Sequence, residues 1–115
     1  MKMKDETGKE KIERSALRNP TEATISCRPF TCCGAGNTSD GVMRNFSSEG
    51  FYIETPYQYK PGNTLMVRMV RYPAIPPSIS EEDRPRSICL AKVEWLQELA
   101  DEYTTRYGMG LRYIG

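Results

Sequence analysis

Histidine is absent from this chain, which removes the commonest general base at neutral pH and the commonest metal ligand. An excess of one charge is lacking too. Lys plus Arg is 16 and Asp plus Glu is 15, a net charge of +1, so there is no broad field to grip DNA and any basic site must be local. No apolar run approaches the length of a membrane span, and the opening MKMKDETGKEKIER has no signal-peptide core. A cytoplasmic protein without a membrane span is expected. Cysteine is sparse, and Cys27, Cys32, Cys33 and Cys89 lack the paired C-x-x-C spacing of structural zinc sites. A reducing cytoplasm argues against disulfides. The four read as small strand residues and a polar loop pair, with no metal assigned. At 115 residues the chain has room for one domain with one modest core.

Residues 1–13 are charged, poor in apolar side chains and without a clear period, so they are expected to form a flexible arm. From Ala23 onward the period is two. Ala23, Ile25 and Cys27 alternate with Thr24, Ser26 and Arg28, the pattern of a half-buried strand. CCGAGNTSDG is loop chemistry. VMRNFS and GFYIET read as the next two strands. YKPGNT sets Pro before Gly at the central positions of a type II turn. TLMVRMVRY follows as a strand with Leu65, Val67 and Met69 on one side. YPAIPPSISEEDRPR holds four prolines and must be a loop, since proline cannot donate to a ladder. Its acidic run, Glu81 to Asp83, is expected to be solvated, or paired with Arg84 and Arg86. SICLAKVEWL resumes as a strand with Ala91, Val93 and Trp95 alternating inward. Leu96, Leu99, Ala100 and Tyr103 then fall at helical spacing, so a short helix is expected near 96–104. GMGLRYIG closes as a sixth strand. Phe46, Phe51, Trp95 and Tyr113 are expected in or beside the core. Six short strands with turn signals between them suggest an all-β fold over residues 14–115, a small antiparallel barrel or sandwich, and closing the sheet would hide its edges.

Two short motifs stand out. RSALR sets Arg14 and Arg18 at R-x-x-x-R spacing ahead of the first strand. With ten arginines in the chain, chance alone supplies about one such pair. RNFSSEG sets Asn45, Ser47 and Gly50 at N-x-S-x-x-G spacing where a strand ends. Composition predicts on the order of 0.04 occurrences of that pattern, so it carries more weight. Its bland reading is a β-turn, which a site can share.

RSALR, NFSSEGFYIET, YKPGNTLMVRM, AKVEW and RYGMGLRYIG, taken in order, resemble the PilZ domain family. Members of that family are receptors for the bacterial second messenger cyclic di-GMP. The resemblance runs from Arg14 to Gly115. It implies a six-stranded barrel and a ligand site made of Arg14, Arg18, Asn45, Ser47 and Gly50. It also implies that Glu13, just before the arginine pair, influences how many nucleotides are held; its charge would repel a second set of phosphates, so one ligand is expected. The chain ends at RYIG, so the helix that many relatives carry after the last strand is expected to be missing.

The residue types suit that ligand. Arginine pairs bidentately with phosphate, forks onto guanine O6 and N7, and stacks on flat rings. Asn45 and Ser47 are expected on one strand face, short enough to bond a guanine edge and leave space for its ring. Gly50 permits a positive φ and lets a base approach the backbone. No nucleophile stands beside a base and no carboxylate pair is evident, so a non-enzymatic receptor is expected, without cofactor, signalling to a downstream protein. The alternatives are a PilZ-like adaptor that binds a partner protein without nucleotide, and a small barrel for single-stranded RNA. The near-neutral charge weighs against the latter.

Overall fold

The computed structural model describes residues 18–30 and 38–114. The arm of residues 1–13, Arg14, Cys32 and Cys33 lie outside them. Six strands form: β1 (Asn19–Pro29), β2 (Ser39–Phe46), β3 (Gly50–Thr55), β4 (Thr64–Met69), β5 (Ile88–Ala100) and β6 (Thr105–Tyr113). Every pairing is antiparallel, in the order β1-β2-β3-β6-β5-β4, and β4 pairs back to β1 to close a barrel. The expected all-β, six-stranded antiparallel fold is therefore what the chain adopts.

Alternation builds the core. Ala23, Ile25 and Cys27 point inward from β1, and Leu65 and Val67 from β4, as their period of two requires. They meet Met43, Phe46, Phe51, Ile53, Ala91, Val93, Met109 and Leu111. Each fully buried large apolar side chain here contributes about 1.5–3 kcal/mol. Ser39 and Tyr59 are buried polar members, satisfied by a 2.9 Å bond between their hydroxyls, and the Cys27 thiol lies 3.5 Å from Ser39 Oγ.

The turn at Lys60–Asn63 forms as its residues demand. Asn63 N–H donates to Lys60 C=O at 3.0 Å, and Gly62 takes φ +96°, the left-handed value that type II requires at its third position. The proline-rich segment between β4 and β5 is a loop with one 3-10 turn, Glu81–Asp83, and its Ile75 and Ile79 pack against the core. Glu81 and Glu82 of the acidic run are exposed; Arg84 Nε donates to Ile79 C=O at 3.1 Å, and the Arg86 guanidinium lies 4.2 Å from the centre of the Tyr113 ring.

Two expectations fail at β5. No helix forms at 96–104: β5 continues to Ala100, and a four-residue turn at 101–104 leads into β6. The Asp101 carboxylate accepts from the N–H groups of Tyr103 and Thr104, both at 2.8 Å, and closes that turn. Arg106 to Met109 on β6 pair with Leu96 to Leu99, whereas an isolated helix this short is marginal. Trp95 is the second failure. The β5–β6 register runs from Val93↔Leu111 to Trp95↔Gly110, a bulge that inserts one residue and turns the indole outward, 42% exposed.

Candidate functional site

A second bulge prepares the site. Between β2 and β3 the register steps from Met43↔Ile53 to Asn45↔Tyr52, and β1 shows a matching irregularity between Pro20 and Ala23. Met43 and Phe46 thus both enter the core, three residues apart, and the intervening Arg44 and Asn45 stay partly exposed. Asn45 heads a row across the outer face: Asn45 on β2, Tyr52 on β3, Gly110 on β6 and Trp95 on β5.

Arg18 reaches this row. Its Nη1 donates to Asn45 Oδ1 at 3.0 Å, bridging 27 residues of sequence. One arginine of the first motif and the leading residue of the second are thereby brought together. Ser47 is placed otherwise. It is 3% exposed and does not share an outward face with Asn45. Its hydroxyl accepts from Glu49 N–H at 3.2 Å and donates to Gly50 C=O at 3.3 Å, and its own N–H donates to Gly50 C=O at 2.8 Å. Ser47 therefore shapes the β2–β3 turn, because β2 ends one residue before it.

Gly50 is needed for space and not for a positive φ. Among the described glycines a positive φ occurs at Gly62 alone. Gly50 is required by close approach: an added Cβ would strike the Leu111 carbonyl oxygen and stand 3.0 Å from Arg112 Cα. Backbone, with no rotamer to change, fills that space.

Sequence reasoning missed the aromatic part of the row. Tyr52 and Trp95 stack with centroids 5.4 Å apart and planes inclined at 23°. They cover β6 where it carries no side chains. A Cβ on Gly110 would collide with the indole of Trp95, and one on Gly108 with the ring and hydroxyl of Tyr52. These two glycines seat the stack. The signal was present in G-M-G, but its meaning depended on which aromatics lay opposite.

Charge surrounds the stack. Glu54 Oε1 accepts from Arg106 Nη2 at 2.9 Å and Arg44 Nε at 3.2 Å, and Oε2 accepts from the Tyr52 hydroxyl at 3.1 Å. Arg44 also approaches Glu22 at 3.6 Å. Burial first, and then the bond to Glu54, push the Tyr52 hydroxyl above its ordinary pKa, so it stays a neutral donor. The face combines a flat aromatic surface with guanidinium and amide groups, the chemistry that holds a planar base and an anionic group.

The two described thiols, Cys27 and Cys89, are poorly suited to nucleophilic work. Burial raises the pKa of Cys27 and pushes Cys89 up to about 11. Each is paired with Val67 from an opposite side, so they stand two strands apart. That is about 10 Å, beyond disulfide reach. Among the described residues no three of His, Cys, Asp and Glu gather as metal ligands, and no helix is long and apolar enough to cross a membrane. The chain matches no family model and no curated protein.

Proposed function

We propose that this protein is a non-catalytic cyclic di-GMP receptor of the PilZ type, bacterial and cytoplasmic, holding one nucleotide per domain on the outer face of β2, β3, β6 and β5. The observation that carries the reading is the Arg18–Asn45 hydrogen bond, which unites two motifs far apart in sequence beside a stacked Tyr52–Trp95 pair. In this reading Arg18, with Arg14, supplies guanidinium groups to phosphate and guanine. Asn45 meets a guanine edge, and the exposed indole of Trp95 offers a ring face. Ser47 and Gly50 act indirectly, by fixing the turn and letting β3 and β6 approach. Binding orders the segment carrying the arginines over the barrel and changes the surface presented to a downstream protein.

A thermal-shift series with cyclic di-GMP, cyclic di-AMP, GTP and a short RNA tests the proposal. Selective stabilisation by cyclic di-GMP is expected. Stabilisation by none supports the adaptor without nucleotide, and by RNA the single-strand binder. Calorimetry on Arg18→Ala should show affinity weakened roughly 10- to 150-fold, the loss of one charged hydrogen bond of about 1.5–3 kcal/mol. Wild-type affinity in that variant would remove the basis of the assignment. Hydrogen exchange over residues 8–20 should slow with ligand.

A further inference from the structure

A second site lies on another part of the barrel. The outer face of β1, β4 and β5 holds a cleft of about 270 Å³ lined by Ser26, Arg28, Thr38, Met66, Arg68 and Ile88, with Cys27. Alternation places it outside: Ile25, Cys27, Leu65 and Val67 face the core, so Ser26, Arg28, Met66 and Arg68 face away from it. Ser26 pairs with Arg68 and Arg28 with Met66, making the two arginines diagonal neighbours across the β1–β4 ladder. Diagonal positions stand about 7–8 Å apart, within reach of two long side chains converging on one group.

The charges there are unbalanced. Neither Arg28 nor Arg68 makes an ion pair with a described residue; the contact that Arg28 does make is to the Met66 sulfur at 3.7 Å. Asp40 sits across β2 from Ser26 but does not line the cleft. Elsewhere on this barrel guanidiniums are compensated: Arg44 and Arg106 share Glu54. Two guanidiniums, two hydroxyls and an apolar wall of Met66 and Ile88 thus face one cavity with no carboxylate among the described residues that line it.

We infer that this cleft is a binding site for a phosphomonoester with a compact apolar body. Two guanidinium charges match one phosphate dianion, whereas a single carboxylate leaves one of them uncompensated. Ser26 and Thr38 add hydroxyl donors, and Met66 with the 55%-exposed Ile88 covers the organic group. The site is separate from the Asn45–Trp95 row and stands whether or not that row binds nucleotide.

Amide-resolved NMR titration of the full chain with phenyl phosphate, inorganic phosphate and benzoate decides it. Saturable shifts at Ser26, Arg28, Thr38, Met66, Arg68 and Ile88 are expected, with phenyl phosphate tightest, inorganic phosphate weaker and benzoate weakest. Arg28→Ala and Arg68→Ala should each weaken phenyl phosphate at least tenfold, and Arg68→Lys, which keeps the charge and loses the fork, should fall between. Both side chains face outward, so the variants' spectra should otherwise match wild type. Shifts centred on Asn45 and Trp95, benzoate binding as tight as phenyl phosphate, no saturable shift, or arginine variants of unchanged affinity would each overturn the assignment.

Discussion

Replacing Gly50 with alanine separates two reasons for a glycine. Gly50 opens β3 opposite Arg112, and its carbonyl accepts from both Ser47 N–H and Ser47 Oγ. A methyl group there meets the Leu111 carbonyl and Arg112 Cα, both backbone. Side-chain rotation cannot relieve the clash, so β3 and β6 must part locally. Overpacking of this kind costs about 1–3 kcal/mol, and each neutral hydrogen bond stretched beyond use adds about 1. Lower unfolded-state entropy offsets about 0.4–1 of it. The net loss is about 1–4 kcal/mol. At about 4–8 °C per kcal/mol the melting midpoint should drop by at least several degrees, with a parallel fall in urea midpoint at constant slope. Gly62→Ala is the control: that glycine has φ +96° and open space around it, so its cost is conformational alone, about 1 kcal/mol. A Gly50→Ala protein within about 0.5 kcal/mol of wild type would refute the steric reasoning.

Three further outcomes follow from the same geometry. Gly110→Ala should lower stability by only about 0.5–1.5 kcal/mol, the worth of a stacked pair, because the exposed Trp95 can swing away, and the indole fluorescence should shift as the Tyr52 contact is lost; an unaltered spectrum would contradict the seating of the stack. Glu54→Gln should lower stability by about 1–3 kcal/mol in urea titration, since two arginines lose their shared carboxylate and both are partly solvated; a neutral result would show that the network contributes only surface pairing. Cys89, whose thiol is raised to about 11 from 9.0 by burial, holds its proton more tightly folded than unfolded. The stability it contributes is therefore whole below pH 9 and lost as pH climbs toward 11, and iodoacetamide at pH 8.5 should label it more slowly in the native chain than in urea, as read by peptide mass mapping.

What could be read from the sequence was local. Ala23, Ile25 and Cys27, or Leu65 and Val67, declare their face because alternation is a property of one strand. Pro61 and Gly62 declare their turn because each carries its own φ preference. Asn45 and Arg18 could be singled out as motif residues, yet their contact required β1 and β2 to pair.

The strand count, the core pattern and the Lys60–Asn63 turn were thus determined by the chain's own order of residues. The bulges at Met43/Asn45 and Val93/Trp95 were decided by tertiary structure, because an extra residue is defined only against the partner strand it fails to match. They turned Trp95 outward, sent both Met43 and Phe46 inward, and lined up Asn45, Tyr52, Gly110 and Trp95 from four strands. Gly50 likewise owes its identity to Leu111, sixty-one positions away, whose carbonyl occupies the space a side chain would need.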